Sequence, residues 1–322
     1  MDNQTWDDEK LWRELKKAAA RELGFLLMGR TGVGKSSTIN SLLGEQIAPT
    51  GDFVPTTIKV EPYKGTVGDI RVNIVDTPGL CDDLPEKRKD RRYIHKIRDA
   101  APVIDCVWFV TRLDDPRVTG DEMRAIKLIS KSFENIWDRA IIIFTHAGAI
   151  PPEKFAMTLE TRAQLIRNEI ARYTGEQIAR QVPAVAVENT SLTTPNGEPW
   201  LPELFTLVVE RISQDGMVPF VLAMAKSVGR KRKKRTEDTK EENPPKAEEK
   251  TASKPASSFS ESYRIEMDDR QADRVQRRTE NTIIGEMARR GEEIGRKYAG
   301  SFGAAVGKVV GTAVGFFKRL LG

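Results

Sequence analysis

The sequence is poor in cysteine. Cys81 and Cys106 are all that its 322 positions hold, one in a loop and one in an apolar run, with no paired spacing. A disulfide framework and a cysteine zinc site are both excluded, and a reducing, cytosolic compartment is the expected setting. The opening residues Met1-Asp2-Asn3 supply no basic start followed by an apolar stretch, so no signal peptide is read there. Charge of one sign is also lacking: 52 Lys and Arg against 47 Asp and Glu leave a net +5. So small an excess matters only where it clusters, and it clusters late in the chain.

What is present is apolar content of 39 %, enough for a sizeable core. Leu11, Trp12, Leu15, Ala19 and Leu23 recur at helical spacing with charges between them, which predicts an N-terminal amphipathic helix over 1–23 that packs on the adjoining domain. From Gly24, strand-like runs at 25–28, 58–63, 70–75, 103–110, 140–145 and 182–187 alternate with amphipathic segments. This βα alternation predicts a mainly parallel sheet with helices on both faces, binding ligands beyond the carboxyl ends of its strands. The domain is placed at 24–215, with a short helical extension over 216–228. A linker over 229–282, rich in Lys, Glu, Pro, Ser and Thr, is expected to be disordered; a C-terminal helix is expected over 283–322.

Gly29-Arg30-Thr31-Gly32-Val33-Gly34-Lys35-Ser36 follows a strand and opens a helix, a complete G-x-x-x-x-G-K-[ST] phosphate loop. Its glycines let backbone N–H groups turn toward phosphates, Lys35 faces β/γ oxygens, and Ser36 offers a hydroxyl to Mg²⁺, with Ser37 beside it in the first helical turn. Asp76-Thr77-Pro78-Gly79 ends a later apolar strand. There a carboxylate is placed to hold Mg²⁺ and the Gly79 N–H to sense a γ-phosphate. Together the two motifs imply a nucleoside triphosphate. Between them Thr56 and Thr57 are alternative switch hydroxyls for the same metal ion.

The Asn-Lys-x-Asp reader of guanine is missing, and the corresponding strand end reads Phe144-Thr145-His146-Ala147-Gly148. Candidates for the base are His146 along the ring, with Glu188 and Asn189 after the last strand; the alternative is a surface histidine and an ordinary turn. Discrimination against adenine would rest on hydrogen bonds that adenine cannot make.

These residues carry a resemblance. Gly29 to Glu45, Asp76 to Leu80, Arg112-Leu113-Asp114 with Arg117, Thr145-His146-Ala147 with Pro151-Pro152, and Val187-Glu188-Asn189 together resemble the chloroplast outer-envelope import-receptor GTPases and their immunity-associated relatives. Pro55-Thr56-Thr57 is closer to bacterial GTPases. The resemblance implies the P-loop GTPase fold, GTP/GDP with Mg²⁺ as ligands, and guanine contact at His146, Glu188 and Asn189. It also implies a homodimer across the nucleotide face, in which Arg117 touches the partner's nucleotide as a catalytic group alongside Lys35. Leu80 stands where many small GTPases place a water-orienting glutamine, so intrinsic hydrolysis is expected to be slow and raised by dimerisation or by a protein partner on the switch regions.

The late charge cluster is the unbroken basic run 230–235. It suits anionic lipid at about 1 kcal/mol per residue, or the phosphates of nucleic acid. Lipid is preferred because 298–322 is apolar, with Gly303, Gly307, Gly311 and Gly315 at four-residue spacing, a stripe that lets helices approach closely. Lys308 interrupts it at a cost of about 3 kcal/mol. The expected tail is an interfacial or conditionally inserted helix, or a weak tail anchor, against a helix that merely packs in water. The sequence thus describes a slow GTPase switch carried to a cytosol-facing membrane, with a non-hydrolysing GTP-binding scaffold and a nucleic-acid-associated GTPase as alternatives.

Overall fold

The computed structural model describes residues 21–49, 60–67, 70–77, 87–224, 228–230, 265–275 and 277–278. The expected N-terminal helix up to residue 20, Thr56, Thr57, Gly79 and the C-terminal helix lie outside the described residues.

Six strands form one sheet: β1 (Leu23–Met28), β2 (Glu61–Val67), β3 (Ile70–Thr77), β4 (Cys106–Arg112), β5 (Ala140–Thr145) and β6 (Ala184–Ala186), in the order β2-β3-β1-β4-β5-β6. β1 lies parallel between β3 and β4, and β5 and β6 continue parallel beyond β4. Only β2 runs antiparallel, on the outer edge of β3. Its register, with Val67 opposite Ile70, is that of a hairpin, which needs no crossover helix. The strand read at 58–63 is therefore shifted to Glu61–Val67.

β1 shows why the centre holds. All six of its residues are buried, and successive side chains of a strand point to opposite faces. Leu23, Phe25 and Leu27 join one core with α1 (Lys35–Leu43). Leu26 and Met28 join the other, beneath α2 (Lys87–Ala100), α3 (Gly120–Ser132), α4 (Pro152–Thr174) and α5 (Glu176–Gln181). α6 (Trp200–Arg211) and α7 (Gln214–Met224) complete the first face through Leu204, Val208, Met217 and Phe220.

Asp105, 1 % exposed, ties β1 to the start of α7. Its carboxylate accepts from the Gly24 N–H at 2.9 Å, the Arg21 guanidinium and the Ser213 hydroxyl, while Ser213 Oγ also accepts from the Gly216 N–H at 3.0 Å. A polar group so deeply buried is costly without such partners.

Beyond α7 the structure departs from the linker read at 229–282. Val228–Arg230 and Ile265–Met267, β7 and β8, pair as a two-stranded parallel ribbon, and helical residues 269–275 follow. Asp268 and Gln271 cap that turn reciprocally, Asp268 Oδ1 accepting from the Gln271 N–H at 2.7 Å and Gln271 Oε1 from the Asp268 N–H at 3.1 Å, which satisfies two otherwise orphan donors. Ile265, Met267, Ala272 and Val275 are buried in the same core as α6. Arg274 clamps Glu210 with two hydrogen bonds, 2.7 and 2.8 Å, and reaches Glu203 at 3.3 Å. By these contacts residues 265–275 form an island docked on the outer surface of α6.

Candidate nucleotide site

The phosphate loop runs from the end of β1 into α1, and its backbone demands glycine. Gly34, the residue before α1, has φ +92°, and an added Cβ would lie 2.8 Å from Nδ2 of Asn189. Gly32, at φ +78°, faces open space within 4 Å, leaving a cradle of backbone for a phosphate group. Arg30 and Thr31 are exposed on the loop's rim, and Val33 is buried beneath it.

Lys35 is 5 % exposed. Its ammonium donates to the carbonyls of Gly29 and Arg30 at 3.0 and 2.9 Å and stands 3.4 Å from Asp76 Oδ1. Register explains the meeting: Leu27 lies opposite Asp76 on the neighbouring strand, and Thr77 donates its hydroxyl to the Leu27 carbonyl at 2.9 Å. Ser36 and Ser37 are half-buried in the first turn of α1. No group of three or more His, Cys, Asp or Glu side chains could hold a metal among the described residues. An ion here must draw on hydroxyl and single-carboxylate oxygens such as Ser36 and Asp76, plus phosphate oxygens. That hard, sparse donor set fits Mg²⁺.

The second half of the site is built by the ends of β5 and β6. The Val187 N–H donates to the Phe144 carbonyl at 2.7 Å, and the Ala147 N–H to the Val187 carbonyl at 3.4 Å, so the Thr-His-Ala and Val-Glu-Asn turns are stitched together. Glu188 spans them: Oε2 accepts from the Gly148 N–H at 2.6 Å, and Oε1 from the Thr190 N–H and hydroxyl at 3.1 and 2.6 Å. Burial resists ionisation of this carboxyl, yet these hydrogen bonds more than offset it and hold its pKa below the ordinary glutamate value. An added Cβ at Gly148 would lie 2.8 Å from Glu188 Oε2. Gly148 is thus the residue that admits Glu188.

Asn189 faces the phosphate loop. Its Oδ1 accepts from the Thr38 hydroxyl at 3.1 Å and its Nδ2 donates to the Gly34 carbonyl at 3.4 Å. His146 sits in the left-handed region at φ 57°. Its Nε2 is 3.2 Å from Arg112 Nη1 and its Nδ1 3.0 Å from Thr145 Oγ1. Arg112 in turn holds Asp114 with two hydrogen bonds, 2.9 and 2.7 Å. That pairing depresses the Asp114 pKa and raises that of Arg112, outweighing burial in each.

The structure therefore gathers Gly29, Gly34, Lys35 and Asp76 at one place, and His146, Glu188 and Asn189 at the adjoining one, joined through Asn189. Arg117 is exposed in the loop between β4 and α3. Sequence reasoning assigned no role to Thr38, Thr145 or Arg112. Arg112 was signalled only by its place in the Arg-Leu-Asp stretch, and Thr38 by nothing more than its position one turn into α1.

The family model described as the AIG1 family matches residues 23–238. Translocase of chloroplast 108 from Physcomitrium patens is 31 % identical over an alignment of 202 residues that covers 56 % of this chain and 20 % of that protein. Translocase of chloroplast 34 from Pisum sativum is 30 % identical over an alignment of 217 residues that covers 62 % of this chain and 69 % of that protein. Among solved structures, a dimerization-deficient mutant of Toc33 from Arabidopsis thaliana superposes with a TM-score of 0.51 at 25 % identity, over 66 % of this chain and 89 % of that one. The chain spans about a fifth of the long translocases it matches.

Proposed function

The chain belongs to the AIG1 family of P-loop GTPases, and from that premise we propose that it is a Mg-dependent guanine-nucleotide switch that hydrolyses GTP slowly by itself and faster as a homodimer. The observation that carries this reading is the bond from Asn189 to Gly34, which sets a depressed-pKa carboxylate, Glu188, beside a complete phosphate loop.

Lys35 gives up its carbonyl contacts to neutralise β/γ oxygens, while the N–H groups of the loop hold the α- and β-phosphates. Ser36 and Asp76 would hold Mg²⁺, with Thr56 or Thr57 as a further ligand, and the Gly79 N–H would meet the γ-phosphate. When bound, the ion neutralises charge that develops on the transferring group. Glu188 keeps accepting capacity for the N–H groups of a guanine edge, a pattern adenine lacks, with His146 along the ring and Asn189 beside them. Arg117, exposed on the β4–α3 loop, reaches the partner's nucleotide across the dimer; an arginine supplied in this way raises turnover by on the order of 10³-fold or more. The dimerization-deficient mutant of Toc33 supports a dimer in a relative.

Association with a membrane through 230–235 and 298–322 rests on the charge and glycine patterns of the sequence. Among the described residues no helix is long and apolar enough to cross a membrane.

The test is a titration of the full chain with fluorescent GDP, competed by unlabelled GTP and ATP and repeated with Lys35→Ala. GTP is expected to compete and ATP not, and Lys35→Ala to weaken binding by roughly 10- to 150-fold, the worth of charge-assisted hydrogen bonds of about 1.5–3 kcal/mol. Equal competition by ATP would remove the guanine reading.

A further inference from the structure

The two ring nitrogens of His146 are both engaged, and their partners fix where its proton sits. Arg112 Nη1, 3.2 Å from Nε2, can only donate, because a guanidinium has no acceptor. Nε2 must therefore carry a lone pair. At the other nitrogen, Thr145 Oγ1 has one proton and two carbonyls in reach, Val33 at 2.7 Å and Thr111 at 3.3 Å. Its proton goes to the nearer, Val33, so Oγ1 accepts from Nδ1–H at 3.0 Å. The hydroxyl could turn to donate to an Nδ1 lone pair instead, so Arg112 is the group that sets the neutral Nδ1–H tautomer and Thr145 accommodates it.

The result is a chain of hydrogen bonds in which Arg112 donates one way to the Asp114 carboxylate and the other way to His146, and donation continues through Thr145 to the Val33 carbonyl inside the phosphate loop. It begins in the β4–α3 loop, which also carries Arg117. With both nitrogens occupied, His146 has only its ring face to offer a base. Its φ of 57° is a strained setting for a non-glycine residue and persists only because its surroundings hold it there.

We propose that Arg112 is a positioning residue for the base site, fixing the Nδ1–H tautomer and the ring orientation of His146 so that the histidine supports the nucleotide by stacking alone while Glu188 reads its edge. This rests on the guanine reading above and adds to it a residue that touches no nucleotide.

The chain holds two histidines, His95 and His146, so ring ¹⁵N spectra of histidine-labelled full-length protein resolve each, with His95→Gln assigning the pair. His146 is expected to show a protonated Nδ1 and an unprotonated Nε2. Arg112→Met, at a half-exposed position, is expected to release the ring to the Nε2–H form common in water and to weaken fluorescent GDP binding roughly tenfold, the worth of one hydrogen bond. A wild-type His146 protonated on Nε2, or a tautomer unmoved by Arg112→Met, overturns the proposal. A tautomer that moves while GDP affinity stays put overturns the positioning role, and His146→Ala then separates the causes. If His146→Ala also binds GDP normally, the base reading at His146 has fallen; if it binds weakly, only the part given to Arg112 has.

Discussion

Asn189 holds Gly34: the side-chain amide donates to the glycine carbonyl at 3.4 Å, and the carbon a larger residue would add at Gly34 falls 2.8 Å from that same amide nitrogen. Two defects are therefore combined in Gly34→Ala, a clash and a left-handed backbone strained by about 1–2 kcal/mol. Asn189→Ala removes the clash and leaves the strain. Fluorescent GDP binding should be abolished in Gly34→Ala, reduced in Asn189→Ala, and partly recovered in the double variant relative to Gly34→Ala. A double variant no better than Gly34→Ala would mean the collision does not matter.

Glu188 makes stability depend on pH with a known sign. Its folded pKa lies below the ordinary value, so its hydrogen bonds contribute stability above the ordinary glutamate range, and that contribution disappears as pH falls through the folded pKa. Urea unfolding should show Glu188→Gln less stable than the wild type near neutrality, with the gap closing on acidification below about pH 4. A gap constant with pH would mean that the ionised form is not what the Gly148 and Thr190 groups favour.

Gly148→Ala places a methyl against Glu188 Oε2 at an exposed position where the backbone itself tolerates alanine. The expected outcome is guanine-nucleotide affinity lowered severalfold with thermal stability nearly unchanged, because the carboxylate moves and the core does not. Calorimetry beside GDP titration separates the two.

Asp105→Ala removes the shared acceptor of Gly24, Arg21 and Ser213. A buried charge network broken on one side costs about 3–5 kcal/mol, a large part of the usual stability of a domain. The transition midpoint in urea should fall accordingly, while GDP affinity measured well below that midpoint should change little.

Arg274→Ala gives up the clamp on Glu210 and Glu203, whose side chains are about a third exposed. Such pairs contribute on the order of 1 kcal/mol at most. Global unfolding should barely move, whereas amide exchange at 265–275 should accelerate. Unchanged exchange would show that Ile265, Met267, Ala272 and Val275 hold the island without the arginine.

The parallel sheet and the phosphate loop were legible because their signals are local: apolar runs alternate with amphipathic ones, and eight consecutive residues spell the loop. Glu188 and His146 were candidates by their place at strand ends, with an ordinary turn as the alternative, and only the resemblance assigned them to the base. The bond from Thr38 to Asn189 joins residues 151 positions apart, and no local pattern announces it. The island at 265–275 was missed for a related reason. Its four buried apolar residues sit among many charges, and Ile265 and Met267 follow strand spacing while Ala272 and Val275 follow helical spacing, so no single period emerges. Only the apolar surface of α6 gives them a reason to fold.

The ribbon of β7 and β8 sets the length of a leash. Measured from Arg230, a fully extended chain could carry residue 298 on the order of 240 Å from the domain; measured from residue 278, once 265–275 is docked on α6, the limit is on the order of 70 Å. The same pairing holds Arg230, where the basic run begins, beside Met267, to which the chain returns. Undocking would lengthen the tether more than threefold without altering a single residue of the nucleotide site.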